Sequence, residues 1–126
     1  MRFLIVDDTK SIHSFVKALL AKVPELQITS VFNGREALEL LASGERFDLV
    51  LLDWEMPVLN GPDTLTGIMA AGYHYPVVMM TTKNAPEEIS RMLELGASEY
   101  LLKPFTADIL LEKITQATGK DLPHAA

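Results

Sequence analysis

The 126-residue chain contains no cysteine, which excludes disulfide scaffolds, zinc–thiolate sites and thiol nucleophiles together. It also lacks long apolar runs. None exceeds four residues, far short of the roughly 20 that a bilayer-spanning helix needs. Positive charge is scarce: 11 Lys and Arg stand against 17 Asp and Glu, for a net charge of −6. So acidic a chain has no electrostatic footprint for nucleic acid or for an anionic membrane surface. Glycine-rich phosphate loops are missing too. Neither Gly-x-x-x-x-Gly-Lys-Ser/Thr nor Gly-x-Gly-x-x-Gly occurs, so nothing evident would hold a nucleotide. The opening stretch, Met1 to Asp8, turns acidic too early for a signal peptide. The expectation is a cytoplasmic protein with neither nucleic acid nor membrane as a partner.

What is present is ordinary for a soluble domain: 48% hydrophobic and 22% charged residues. A chain of this length suits one domain and can bury about two thirds of its unfolded surface, so it needs no metal or disulfide to fold. Short apolar runs at Phe3–Val6, Ile28–Phe32, Leu49–Leu52, Val77–Met80 and Tyr100–Leu102 alternate with helical periods. Three runs are unbroken four-residue blocks, the pattern of parallel strands covered on both faces. The clearest helical stripe is Ile12, Phe15, Val16, Leu19, Leu20 and Val23. Punctuation agrees. Thr9 or Asp8 can cap the first helix, and Asn33-Gly34 precedes the second. Gly61-Pro62 and Ala85-Pro86 put proline at a first helical position, while Gly44, Gly72, Gly96 and Gly119 fall where helices should stop. Five β/α units imply a three-layer α/β/α domain with a parallel sheet. Its expected extent is residues 1–119, with 120–126 as a short flexible tail.

In such sheets ligands bind beyond the carboxyl ends of the strands. The residues found there are Asp7 and Asp8, Asp53, Thr81 and Thr82, and Lys103. Singly, each has a plain reading, such as a helix cap, a loop start, a strand threonine or a solvated lysine. Together they bring three carboxylates, hydroxyls and an ammonium to one sheet edge. Carboxylates packed so closely repel unless a cation intervenes. An all-oxygen ligand set selects a hard ion, and an incomplete shell suits magnesium, which keeps several waters. A carboxylate, a divalent cation, a lysine and a hydroxyl form a phosphoryl-transfer arrangement.

At these residues the sequence resembles the receiver domain of two-component response regulators, most closely the single-domain chemotaxis type. The likeness spans about residues 2–118. It rests on Phe3-Leu4-Ile5-Val6-Asp7-Asp8, Asp53-Trp54-Glu55-Met56-Pro57 with Asn60-Gly61, Val77 to Thr82, Gly96-Ala97 and Lys103-Pro104-Phe105. The resemblance implies a flavodoxin-like, doubly wound sheet of order 2-1-3-4-5. It implies Asp53 as phosphoacceptor and Asp7, Asp8, Asp53 and the Glu55 backbone carbonyl around Mg2+, with Asp7 acting partly through water. Lys103 would pair with the phosphoryl oxygens, and Pro104 would follow a cis bond. Thr81 and Tyr100 would be the switch pair, although Tyr100 can also be read as a half-buried strand residue with its hydroxyl in water. Glu55, Thr82 and Lys83 would modulate phosphate lifetime. Thr82 departs from the very small residue usual there and is expected to crowd the site. Glu55 and Lys83 could pair above it.

The implied function is a switch phosphorylated by a sensor histidine kinase, monomeric when unphosphorylated. It would promote its own phosphorylation and dephosphorylation without being an enzyme. Its output face, built from helix 4, strand 5 and helix 5, would meet a protein target: a motor component, a phosphotransfer protein or another effector. A receiver within a phosphorelay, or one cut from a larger regulator, is the alternative; Met1 and the short tail suit a stand-alone protein. An aspartyl-phosphate phosphatase needs an Asp two residues after its nucleophile, where this chain has Glu55 or Thr9. A flavin module wants a hydroxyl-rich loop in place of Asp7-Asp8. His13 has no partner in its neighbourhood of sequence, so a surface or boundary role is expected.

Overall fold

A computed structural model of the protein describes residues 1–120; the expected tail from 121 onward lies outside them. The elements alternate strictly. They are β1 (Arg2–Val6), α1 (Lys10–Leu19), β2 (Gln27–Val31), α2 (Gly34–Ala42), β3 (Leu49–Asp53), α3 (Gly61–Ala70), β4 (Val77–Thr81), α4 (Pro86–Glu94), β5 (Glu99–Leu102) and α5 (Ala107–Thr118). All strand pairs are parallel and the order is β2-β1-β3-β4-β5. This is the doubly wound α/β/α arrangement expected from the sequence.

Strand side chains alternate between two cores. Phe3, Ile5, Leu49, Leu51, Val78 and Met80 pack with Val16 of α1 and with Leu110 and Ile114 of α5. Leu4, Val6, Val50, Leu52, Val77 and Met79 face α2, α3 and α4 through Ala37, Leu41, Leu65, Ile68 and Met92. Because both faces are covered, the central strands carry runs of consecutive apolar residues, Phe3–Val6, Leu49–Leu52 and Val77–Met80, rather than one at every second position. Among the described residues no helix is long and apolar enough to cross a membrane.

Several boundaries differ from the sequence reading: β1 and β2 begin one residue early, at Arg2 and Gln27, and β3 and β4 run one residue further, to Asp53 and Thr81. β2 ends at Val31, so Phe32 lies beyond the strand, where its ring meets His13 at 4.6 Å. β5 begins one residue early, at Glu99. The stripe of α1 runs to Val23, but the helix ends at Leu19. Pro24 disfavours helical backbone at the residue before it, and a turn closed by Val23 N–H to the Leu20 carbonyl (3.0 Å) replaces the last helical turn. Leu20 and Val23 still reach the core. Caps form where asparagine and threonine precede helices: Asn33, Asn60 and Thr106 accept from Glu36, Asp63 and Ile109 N–H groups. Thr9 occupies the first cap position without making the bond.

Candidate functional site

The parallel sheet places the ends of β1, β3, β4 and β5 side by side. Val6 pairs with Leu52, Asp53 with Met80, and Thr81 with Leu102. Asp7 follows β1, Asp53 is the last residue of β3, Thr81 the last of β4, and Lys103 follows β5. One edge thus collects every polar residue that the strand-end reading singled out.

Lys103 is the hub. Its Nζ donates to Asp7 Oδ2 at 3.0 Å and to Asp53 Oδ1 at 2.9 Å, joining residues 96 and 50 positions away in the chain. The peptide bond from Lys103 to Pro104 is cis. Asp7 is fully buried, and its other oxygen accepts the Thr9 N–H at 2.8 Å. Asp7 thus organises the turn after β1. Asp8 is exposed. Carboxylate oxygens of Asp7, Asp8 and Asp53 lie within 4.8 Å of one another, a grouping able to hold a metal ion. The donors are all oxygens, which fits a hard divalent cation.

An open cleft of about 170 Å³ lies above this edge. Asp8, Asp53, Glu55, Thr81, Thr82 and Lys103 line it, with Thr9 and Trp54. Asp7 is absent from that lining and sits beneath it. The Thr81 hydroxyl accepts the Lys83 N–H at 2.9 Å. Lys83 Nζ stands 3.3 Å from Glu55 and 3.5 Å from Glu88 of α4. The sequence offered the first pair and gave no sign of the second. Tyr100 is half-buried on the α4 side of the sheet, the side that Thr81 shares through strand alternation with Met79. The Lys113 ammonium lies 4.5 Å from the Tyr100 ring centroid and is paired with Glu99 at 3.0 Å.

His13 departs from expectation. It is only 3% exposed, and both ring nitrogens are engaged, by Ser30 Oγ at 2.9 Å and the Asp7 carbonyl at 2.7 Å. Its partners come from β2 and from the turn directly after β1, strands that the sheet order makes neighbours, so the local sequence held no sign of them.

Burial pushes the Asp53 carboxyl above its ordinary value; the Lys103 hydrogen bond opposes this, while the charges of Asp7 and Asp8 add to it. Burial pulls Lys103 down, but its bonds to Asp53 and Asp7 outweigh that and leave it raised. A carboxyl raised in the folded state burdens the fold when ionised. The burden is absent below the unfolded value of 3.8 and grows as pH rises through the folded one. In metal-free buffer, Asp53→Asn should therefore unfold at higher urea than the natural chain at pH 7. At pH 3 the difference should vanish. Millimolar Mg2+ should narrow the gap at pH 7, since only the natural chain keeps its full ligand set. Urea midpoints at both pH values check this.

The response regulator receiver domain family matches residues 3–115. A chemotaxis protein CheY homolog of Campylobacter jejuni is 30% identical over 121 residues, covering 94% of this chain and 93% of the relative. The transcriptional regulatory protein DltR of Streptococcus agalactiae is 38% identical over 118 residues, covering 94% of this chain but 52% of that protein. Among solved structures, the receiver domain of Francisella response regulator 1452 superposes with a TM-score of 0.85 at 29% identity, covering 94% and 96% of the two chains. With the fold, the strand order and these likenesses in agreement, the chain belongs to the response regulator receiver domain family.

Proposed function

We propose that the chain is a signalling switch that takes a phosphoryl group onto Asp53 from a sensor histidine kinase. The observation that carries this reading is Asp53 at the floor of an open cleft, bonded to Lys103 and flanked by Asp7 and Asp8. Lys103 holds Oδ1, which leaves the other carboxylate oxygen to attack the phosphorus of a phosphohistidine. The P–N bond breaks as the new O–P bond forms, and the departing imidazole takes a proton from solvent. Asp7, Asp8 and Asp53, with the Glu55 carbonyl, would hold Mg2+, which when bound neutralises charge on the phosphoryl oxygens. Lys103 neutralises the same charge from the other side. Hydrolysis reverses the modification: water attacks phosphorus, the acyl phosphate O–P bond breaks and the carboxylate returns.

Thr81 supplies the readout. Its hydroxyl now accepts the Lys83 N–H and would instead donate its own proton to the phosphoryl group, drawing the β4–α4 loop inward. Tyr100 shares that side of the sheet and would turn in behind it. Leu93 of α4, Leu102 of β5 and Ile109 of α5 are exposed and suit a protein target at the output face. Thr82, exposed in the cleft lining, would restrict the approach of the donor or of water. The switch would reside in the cytoplasm and be monomeric before phosphorylation, with residues 1–119 as the receiver unit. A receiver joined to further domains is the second reading, favoured by the likeness to DltR, of which this chain spans about half.

Mg2+ with beryllofluoride, a phosphoryl mimic, tests the switch. It should alter the fluorescence of Trp54, the single tryptophan, in the natural chain and not in Asp53→Asn. An unchanged signal in both would overturn the proposal. The Lys83–Glu55 pair should also matter modestly. Exposed pairs contribute little, so Lys83→Ala should hasten loss of the phosphoryl group by at most about fivefold. The decay of the phosphorylated fraction over time measures it.

A further inference from the structure

We propose that His13 is a positioning residue for this phosphoryl-transfer site, a role that rests on the function proposed above. A carbonyl oxygen can only accept, so the Nε2 atom 2.7 Å from the Asp7 carbonyl carries a proton and donates it. In the neutral ring, Nδ1 then accepts the Ser30 hydroxyl at 2.9 Å. Phe32 lies against the ring at a centroid distance of 4.6 Å. Held by Ser30 at one nitrogen, by the Asp7 carbonyl at the other and by Phe32 beside the ring, the imidazole has little freedom to turn.

The carbonyl it holds belongs to the peptide that joins Asp7 to Asp8. That peptide is planar, so fixing its oxygen fixes the direction in which Asp8 leaves the strand. The preceding peptide is fixed as well, because the Asp7 N–H reaches the Val31 carbonyl of β2 at 3.3 Å. Asp7 is therefore held through its N–H by β2, through its carbonyl by α1 and through its carboxylate by Thr9 and Lys103. Asp8 is exposed and depends on the backbone beneath it for its aim. His13 thus touches neither the phosphoryl group nor a cation, yet sets how two of the three carboxylates converge.

The test titrates Mg2+ alone into the natural chain, His13→Leu and His13→Gln, read by Trp54 fluorescence, with urea unfolding of the metal-free proteins alongside. Glutamine keeps an N–H that can reach the position of Nε2; leucine keeps bulk only. Loss of a group that orients a metal ligand typically weakens affinity about 10- to 100-fold. His13→Leu should bind Mg2+ about tenfold more weakly, and His13→Gln should stay within about threefold of the natural chain. Leu110→Ala, in the core under α5, should lower stability and leave affinity unchanged, which separates positioning from general loosening. If the leucine variant fails to fold, Ser30→Ala keeps the question open to a decision, with an expected loss of about threefold. Natural affinity in His13→Leu, or in Ser30→Ala where leucine does not fold, overturns the proposal. Equal losses with leucine and glutamine overturn it too, since shape and not the hydrogen bond would then carry the effect. No Mg2+ binding by the natural chain would instead strike the proposed function, and this inference with it.

Discussion

Replacing Lys103 with methionine should slow phosphorylation of Asp53 by a hundredfold or more. The ammonium is fixed 2.9 Å from Asp53 and 3.0 Å from Asp7, with its side chain only 18% exposed. A charge so placed needs no reorganisation when the phosphoryl group arrives, and removing one such preorganised donor typically costs about 10²–10³ in rate. Methionine preserves the length and apolar bulk of the stem, so packing changes little. The charge balance changes greatly. Buried Asp7 loses its cation, and breaking a buried ion pair by removing one partner costs about 3–5 kcal/mol. That cost is felt only while the carboxylates are ionised. Without Lys103 the hydrogen bond that opposes the burial of Asp53 is gone and its carboxyl is pushed further up, so the variant loses stability as pH climbs from acid towards neutral. Urea midpoints for the variant should approach those of the natural chain at pH 3 and fall well below them at pH 7. Time courses of the intact mass give the rate. A rate within threefold of the natural chain would remove Lys103 from the mechanism.

Gly61→Ala should destabilise the fold by about 2–3 kcal/mol, as overpacking does, and damage the site as well. A Cβ at Gly61 would stand 2.3 Å from the Asp53 carbonyl oxygen and 2.7 Å from Trp54 Cα. Both obstacles are backbone. They belong to the exit of β3, which the Gly61 N–H also ties through the Trp54 carbonyl at 2.8 Å. Relief would have to come from shifting either α3 or the segment that carries the acceptor. A displacement of about 1 Å at a reacting group can cost about a hundredfold in rate. Gly67→Ala is the comparison. Its Cβ would meet Leu38 Cδ1 at 2.9 Å, the free end of a flexible side chain that can turn aside. Alanine also favours a helix interior over glycine by about 1 kcal/mol, so that variant should unfold close to the natural midpoint and phosphorylate normally.

The sequence was a good guide wherever one face or one strand end decided the outcome. Unbroken blocks such as Leu49–Leu52 announced strands covered on both sides, and the polar residues directly after them marked the site, with Asp53, Thr81 and Lys103 lining the cleft and Asp7 buried beneath it. Lys103, Asp53 and Asp7 could be grouped without coordinates because parallel strands share one carboxyl edge. Contacts that depend on which strands are neighbours were harder to read. His13 looked partnerless because Ser30 lies 17 residues away, on the strand that the sheet order places next to β1. Lys113 and Tyr100 meet across β5 and α5, elements whose spacing gave no hint of a cation over that ring.

Backbone detail was the least legible. Val58 adopts a φ of 70°, a conformation that a β-branched residue rarely takes. A tight turn closed by Leu59 N–H to the Pro57 carbonyl at 2.7 Å imposes it. Valine at that position carries no local sign of the turn. The end of α1 was missed for a related reason. Apolar spacing continued past Leu19, but core contact does not require helical backbone, and the chain satisfied one without the other.

The most direct test of the central claim is the intact mass of the chain after incubation with acetyl phosphate and Mg2+, with Asp53→Asn treated in parallel. One phosphoryl group should be added to the natural chain, and none to the variant or to either protein without Mg2+. A natural chain left unmodified by acetyl phosphate and by a phosphorylated histidine kinase alike, or an adduct that persists in Asp53→Asn, would contradict the assignment of Asp53 as the acceptor.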